Sequence, residues 1–139
     1  IAAAGLPVIV GPLDAQPSTF QHPHARYDNA AIMNEAGVKL AFRSGDAHGV
    51  RNLPTLAGLA VAHGLPWAAA IQALTVNPMD ILGQPNMGRL AVGAEATFFV
   101  ADGDPLQPRH AVQSVFVRGE SASMETRQTR LYEQFKELW

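Results

Sequence analysis

The sequence of 139 residues predicts an α/β fold, and three observations carry that prediction. First, residues 6–42 follow the order strand, loop, helix, strand, which is typical of a parallel βαβ unit with a right-handed crossover. Second, a polar loop at residues 44–52 comes directly after the second strand and before a helix, where α/β proteins place their chemistry. Third, from Met87 onward glycines separate short β-type runs, which predicts a distinct β region.

The βαβ unit is predicted from apolar runs with clear end signals. Residues 6–10, Leu-Pro-Val-Ile-Val, are closed by Gly-Pro and predict a buried parallel strand. Residues 13–27 contain prolines and histidines without an apolar period, so they predict a loop, and a loop of that length is usually functional. Residues 28–36 predict a helix capped by its first or second residue, and residues 38–42 predict the second strand.

Three helices and a β region follow the polar loop. Helical periods and end signals predict helices from Leu53 to His63, from Pro66 onward, and from Asn77-Pro78 to Gly83. Residues 96–101 and 112–118 predict two strands joined through a turn.

The last seventeen residues, 123–139, predict an amphipathic helix. Its apolar side chains Leu131, Phe135 and Leu138 recur at the spacing i, i+4, i+7. We expect this stripe to dock on the body of the protein.

Composition excludes several classes of function. The net charge of −2 and the absence of a basic amphipathic helix argue against a nucleic-acid or membrane-surface partner, and no apolar run approaches the roughly 20 residues of a membrane span. The chain has no cysteine, which excludes disulfides, zinc–thiolate sites and cysteine nucleophiles, and fits the cytosol or the periplasm equally well. The start at Ile1 without methionine is the pattern expected of a cut through a longer protein.

The polar loop contains the candidate functional residues. Asp46, His48, Arg51 and Asn52 lie between the end of a strand and the start of a helix, whose free N–H groups and dipole favour anionic ligands. The alternative is that Asp46 and Asn52 serve only as turn and cap residues.

A second candidate is the pair His22 and His24, which has the H-x-H spacing of some metal sites. A catalytic metal normally needs three protein ligands, and this pair lies in a loop with no apolar strand before it. Solvent-exposed histidines are therefore the favoured interpretation.

Several phrases are shared with one enzyme superfamily. They are Ala41-Phe42-Arg43-Ser44-Gly45-Asp46, Arg51-Asn52-Leu53-Pro54, residues 57–64, Ala73-Leu74-Thr75-Val76-Asn77-Pro78, Gly88-Arg89-Leu90, and Asp102-Gly103-Asp104-Pro105-Leu106. Together they resemble the carboxyl-terminal third of the amidohydrolase superfamily, in its imidazolonepropionase-related and Xaa-Pro-dipeptidase-like branch. The resemblance covers nearly the whole chain.

The resemblance implies a (β/α)8 barrel with a small β-sandwich. It would make residues 1–86 part of the barrel, with 6–10 as strand seven and 38–42 as strand eight. Residues 87–122 would be part of the β-sandwich, and residues 123–139 a carboxyl-terminal helix.

The resemblance also implies chemistry. In such enzymes one or two divalent metal ions, here most simply zinc, activate water for attack on an amide, peptide or cyclic amide C–N bond. Asp46 matches the acid that closes strand eight, and would bind metal or shuttle the proton. His48, Arg51 and Asn52 would contact a small-molecule or peptide substrate.

The chain lacks counterparts of the other metal ligands of that superfamily, which lie on strands one and four to six. A barrel of this type needs roughly 200 residues or more. We therefore expect this chain alone to bind no metal and to be inactive. Its two strands would have open edges where strands six and one should pair, which predicts self-association or covering of those edges.

Two alternatives remain open from the residues. One is a non-catalytic α/β module that binds a ligand at the loop from Asp46 to Asn52. The other is a metal triad of His22, His24 and Asp46.

Overall fold

The computed structural model describes residues 1–15 and 24–138. Its elements, in chain order, are β1 (Val8–Val10), α1 (Asn29–Glu35), β2 (Leu40–Phe42), α2 (Leu53–Ala62), α3 (Trp67–Leu74), α4 (Val76–Ile81), β3 (Phe98–Ala101), β4 (Val112–Val117), β5 (Glu120–Ser121) and α5 (Arg127–Phe135). The predicted strands and helices are present with shorter bounds, and β5 is an additional strand.

The first part of the chain is a parallel βαβ unit, as predicted. Strand β1 pairs with β2 in the register Val8↔Leu40 and Val10↔Phe42, and α1 forms the crossover between them. All three residues of β2 are buried. A strand that is buried throughout needs an apolar residue at every position, and the run Leu-Ala-Phe provides that.

Helix α3 packs against β2, and α2 packs against α3, through small and branched side chains. The buried core contains Ala57 and Ala60 from α2 together with Ala70 and Ala73 from α3. Alanine at these positions lets the two helices pack closely against each other. The turn between the two helices ends at Leu65, which is 2% exposed and is the largest fully buried side chain in the described residues.

The second part is an antiparallel sheet in the order β3-β4-β5. Phe98 and Phe116 are cross-strand partners whose rings stack with centroids 4.9 Å apart. All residues of the three strands are exposed or half-buried. The stacking therefore stabilises strand pairing and does not enclose a core.

Close backbone contact joins the two parts. The side chain of Leu106, from the segment between β3 and β4, is buried in the same core as α2 and α3. A Cβ atom added to Gly58 of α2 would lie 2.3 Å from the Leu106 carbonyl oxygen, so glycine is required for this approach. Beside it, the indole Nε1 of Trp67 donates a hydrogen bond to the carboxylate of Asp104 at 3.0 Å.

Helix α5 differs from its prediction. A capping box in which Thr126 and Thr129 bond reciprocally starts the helix. The apolar residues Leu131 and Phe135 are exposed, and no residue of the helix is buried. The prediction that this stripe docks on the body is wrong for these two side chains, because an apolar period identifies a face and not its partner. The side chain of Leu138 lies outside the described ones.

A second correction concerns the start of α1. Neither Asp28 nor Asn29 caps the helix through its side chain. The Asp28 carboxylate instead accepts two hydrogen bonds from Arg26, at 2.7 and 2.5 Å. A charged partner two residues away provides stronger hydrogen bonds than a neutral backbone N–H group.

None of the described helices has the length and apolar character needed to cross a membrane.

Candidate functional site

The candidate site is the loop at the carboxyl end of β2. Residues 43–49 leave the strand in a tight turn that Asp46 stabilises. Its Oδ1 atom accepts a hydrogen bond from the backbone N–H of Gly49 at 2.6 Å, and the Ser44 hydroxyl donates to its backbone oxygen at 2.5 Å. The carboxylate is exposed, and its Oδ2 atom makes no hydrogen bond within the described residues. One oxygen therefore performs the turn role, while the other faces solvent and is available to a ligand.

The other predicted contact residues follow Asp46 on the same loop. His48, Arg51 and Asn52 are all exposed. Arg51 and Asn52 belong to a short 3₁₀ turn, Val50–Asn52, that runs directly into α2. Asn52 precedes the helix but makes no side-chain cap hydrogen bond, so the cap interpretation of this residue is wrong. No hydrogen bond joins these side chains to one another in the part of the chain described.

The described residues do not form a metal centre by themselves. A catalytic metal usually takes three protein ligands. Within residues 1–15 and 24–138, no three histidine, aspartate or glutamate side chains lie close enough together to hold an ion. Asp46 is one exposed carboxylate on a turn. We therefore derive no catalytic step through a metal held by this chain.

Three of the histidines outside this loop are His22, His24 and His63. His22, and with it the proposed triad, lies outside the described residues. His24 is exposed, and its backbone oxygen accepts a hydrogen bond from Asn29 at 3.2 Å. His63 directly follows α2 and stacks on Tyr27 with ring centroids 4.8 Å apart, which is a structural contact.

Sequence reasoning missed a polar cluster near the amino end of β2. Asp80 of α4 binds Lys39 at 3.3 Å and Arg89 at 2.7 Å, and Asn77 donates from Nδ2 to the Leu40 carbonyl at 2.8 Å. An open cavity of about 240 Å³ lies at this same end of the strand, lined in part by Lys39, Leu40 and Asn77. The cluster is at the opposite end of β2 from Asp46. The Asn-Pro phrase was the available signal, but the phrase alone indicates only a helix start.

In the part of the chain that the structure describes, two carboxylates have lowered pKa values. The pKa of Asp104 lies below its ordinary value because its carboxylate accepts a hydrogen bond from the Leu106 backbone N–H and another from Trp67. The pKa of Asp28 is lowered mainly by its hydrogen bonds to Arg26. Both groups stabilise structure away from the candidate site. Neither lowered pKa belongs to a residue of the loop after β2, so the candidate site remains that loop.

Comparisons with known proteins agree with this fold. Residues 23–125 match the family model described as the amidohydrolase family. An amidohydrolase from Thermotoga maritima MSB8 superposes with a TM-score of 0.82 at 25% identity, covering 89% of this chain and 33% of that one. A second solved amidohydrolase gives a TM-score of 0.58 at 26% identity, covering 76% of this chain and 28% of that one. A search of curated proteins gave no match.

The chain thus spans about a third of the solved proteins that it resembles. Enzymes of this family generally use divalent metal ions. The family match covers more than half of the chain, from the loop before α1 to the end of the second sheet. The chain belongs to the amidohydrolase family.

Proposed function

We propose that this chain provides the last two β/α units of a metal-dependent amidohydrolase that hydrolyses a C–N bond. In this proposal β1 is strand seven and β2 is strand eight of a (β/α)8 barrel. The substrate class is an amide, a peptide or a cyclic amide, as in the imidazolonepropionase-related and Xaa-Pro-dipeptidase-like branch. The family match and the TM-score of 0.82 to one third of a longer amidohydrolase support it.

The observation that carries the proposal is the position of the Asp46 loop. Parallel barrels build their active sites from the loops at the carboxyl ends of the strands. The loop from Ser44 to Asn52 leaves the carboxyl end of β2, and β2 pairs in parallel with β1. This is the edge at which such an enzyme needs its acidic residue.

Within the loop we assign separate roles. Asp46 keeps one oxygen on the Gly49 N–H, which fixes the orientation of the carboxylate, and presents the other to the reacting group. There it would hold or transfer a proton. His48, Arg51 and Asn52 are the proposed substrate contacts, because all three are exposed beside it. The metal, zinc as first choice, would find its remaining ligands on strands that lie outside this chain.

The isolated chain is accordingly proposed to be inactive. Calorimetric titration with zinc should show no stoichiometric binding, and dipeptides and cyclic amides should remain intact. Binding of one zinc ion that is lost on Asp46→Asn would contradict this, and would favour a metal site within the chain. A His24→Ala variant in the same titration tests the histidine triad.

C–N hydrolysis is tested in a chimera. This chain replaces the matching third of the Thermotoga protein, and hydrolysis of the same panel is measured with zinc present. We expect turnover that Asp46→Asn lowers by about a hundredfold or more, the range for loss of general acid–base catalysis. Glu35→Gln, on an exposed residue at the end of α1 and away from the carboxyl ends of the strands, is the matched control. A folded chimera that keeps its rate after Asp46→Asn would overturn the role of Asp46.

No observation in the described residues favours the alternative of a non-catalytic ligand-binding module. The cavity near Lys39 lies at the other end of β2 from the loop that such a module would use.

A further inference from the structure

The turn that carries Asp46 starts from a fixed base at the carboxyl ends of the two parallel strands. The Val10 oxygen accepts a hydrogen bond from the Arg43 N–H at 2.9 Å, which joins the strands at the point where β2 ends. A Cβ atom added to Gly11 would lie 2.2 Å from the Arg43 oxygen, and the φ of Gly11 is 133°, so glycine is required at this contact. The backbones at residues 11 and 43 are therefore held together.

The residue after Gly11 extends this base to the residue before Asp46. A Cβ atom added to Gly45 would meet the Pro12 Cδ atom at 3.4 Å, so the Pro12 ring lies directly beside the Gly45 backbone. Residues 11–12 thus support residues 43–45 from the side of β1. These contacts fix the chain as far as Gly45 and leave the orientation of Asp46 to bonds within the turn.

Two hydrogen bonds within the turn hold Asp46, and they act on different parts of it. The Ser44 hydroxyl donates to the Asp46 backbone oxygen at 2.5 Å, and the Gly49 N–H donates to Asp46 Oδ1 at 2.6 Å. The three residues are also packed together, since a Cβ atom added to Gly49 would lie 3.1 Å from Asp46 Oδ1 and 3.4 Å from the Ser44 Cβ. Ser44 therefore fixes the backbone from which the carboxylate projects, and Gly49 fixes the carboxylate.

The hydroxyl of Ser44 is arranged for orientation and not for attack on a substrate. Ser44 is half-buried, and its hydroxyl donates its one hydrogen to a carbonyl oxygen. A nucleophilic serine would instead give that hydrogen to an adjacent base. Removal of the hydroxyl would let the Asp46 peptide unit rotate, and would thereby weaken the bond between Asp46 and Gly49.

We propose that Ser44 is a positioning residue for the Asp46 carboxylate, acting through its hydrogen bond to the Asp46 backbone oxygen. This inference rests on the proposed function, in which the Oδ2 atom of Asp46 holds or transfers a proton. Ser44 keeps Oδ2 in the reaction space, while the contacts at Gly11 and Pro12 keep the turn at the carboxyl end of the sheet. A displacement of about 1 Å can lower a rate on the order of a hundredfold, so loss of this bond affects turnover more than substrate binding.

The first test uses the 139-residue chain and does not depend on activity. Amide hydrogen exchange of Gly49, followed by NMR, reports how often its bond to Asp46 Oδ1 opens. Ser44→Ala should speed this exchange about fivefold, the factor for one hydrogen bond, and should leave the amides of β2 unchanged. Ser44→Thr, which keeps the hydroxyl, should behave like the unchanged chain. Ser123→Ala is the matched control, because the Ser123 hydroxyl also bonds to a residue two positions on, Glu125.

Two outcomes of this measurement would overturn the proposal. One is a Gly49 exchange rate that Ser44→Ala leaves unchanged. The other is equally faster exchange in β2, which would mark a general loss of stability.

The second test uses the folded chimera with the Thermotoga protein. Ser44→Ala should lower kcat about tenfold and leave KM within about twofold, because Ser44 orients the reacting carboxylate and does not contact the substrate. Ser44→Thr should restore most of kcat. A rise in KM at constant kcat would overturn the proposal. A chimera that hydrolyses no C–N bond even with Ser44 in place would count against the proposed function, whereas Gly49 exchange in the chain still decides whether Ser44 orients Asp46.

Discussion

The two sheets of this protein are stabilised in different ways. The parallel sheet of β1 and β2 lies against helices that bury its residues, and all the buried apolar side chains of the described residues except Leu106 precede residue 87. The antiparallel sheet of β3, β4 and β5 has no buried residue in its strands. It is attached to the first part through Leu106, Asp104 and the close contact at Gly58. The first region therefore contains the buried core, and the stability of the second sheet depends on its contacts with that core.

This difference follows from residue choice. Each position of β2 is apolar and buried, so the strand needs cover on both faces. The strands of the second sheet include polar residues, and the burial along β3 alternates only partly. A sheet of this composition tolerates solvent on much of its surface. Variants at the junction should therefore affect stability more than variants within the second sheet.

The largest effect is expected from Leu106→Ala. Leu106 is 2% exposed and, among the described residues, is the one side chain of the second region that enters the core. Its truncation should lower the free energy of unfolding by about 2–5 kcal/mol, because it removes apolar contacts and leaves a cavity. Urea unfolding followed by far-UV circular dichroism measures this. Leu90→Ala is the control, since Leu90 is 80% exposed and should change stability by less than about 0.5 kcal/mol. Equal effects would contradict the dependence of one region on the other.

Gly58→Ala should have the next largest effect. In an exposed helix this change would stabilise by roughly 1 kcal/mol. Here the added Cβ would meet the Leu106 carbonyl oxygen at 2.3 Å, so we expect destabilisation by about 1–3 kcal/mol. Gly103→Ala is the matched control, because its Cβ would meet no atom closer than 3.9 Å. The sign of the Gly58→Ala effect, read from urea midpoints, decides whether the two regions are in close contact.

Much of the first region could be predicted because its signals are local. The β-branched run before Gly11 indicates β1, and the glycine at position 64, with a φ of 102°, ends α2 where the sequence predicted. The position of the Asp46 loop after β2 follows from the order of elements alone. The hydrogen bond from Gly49 to Asp46 fits the turn chemistry expected of an aspartate in a tight loop.

The contacts between distant residues could not be predicted in this way. Lys39 and Asp80 are 41 positions apart, and nothing in either local pattern indicates that they meet. The same holds for the hydrogen bond from Trp67 to Asp104. The amphipathic period of α5 indicated an apolar face correctly but gave no information about its partner. The metal ligands that the family resemblance implies could not be located for a simpler reason, since the matching structures are about three times as long as this chain.

A smaller effect is expected from the charge of Asp104. Because its pKa is lower in the folded state, its carboxylate stabilises the fold at pH values above the ordinary aspartate value, about 3.9, and this stabilisation is lost as the pH falls through the lowered value. Asp104→Asn keeps an acceptor oxygen but cannot titrate. It should be less stable at neutral pH and should lose less stability on acidification. Urea midpoints across the acid range measure both.

The control for that experiment is Asp28→Asn. The pKa of Asp28 is lowered too, but its partner Arg26 lies in the same region of the chain. Both variants should therefore flatten the acid dependence of stability. Hydrogen exchange distinguishes them: faster exchange in β3 and β4 is expected for Asp104→Asn alone. If Asp28→Asn loosens the second sheet equally, Asp104 is not the group that attaches it.

The smallest effect is expected at the carboxyl-terminal helix, where the structure and the sequence pattern disagree. Leu131→Ser and Phe135→Ser replace exposed side chains, so each should change the free energy of unfolding by no more than about 0.5 kcal/mol. If the apolar stripe docked on the body, as its period suggested, each truncation would instead lower the free energy of unfolding by about 2 kcal/mol or more. The capping box provides a separate reference: Thr126→Ala should lower the helix signal in circular dichroism, because it removes the bond from the Thr129 N–H. We expect Thr126→Ala to reduce only helicity and the serine variants to leave the urea midpoint unchanged. Helix α5 would then contribute as little to the core as the strands of the second sheet do. A large loss in either serine variant would place the helix with the first region.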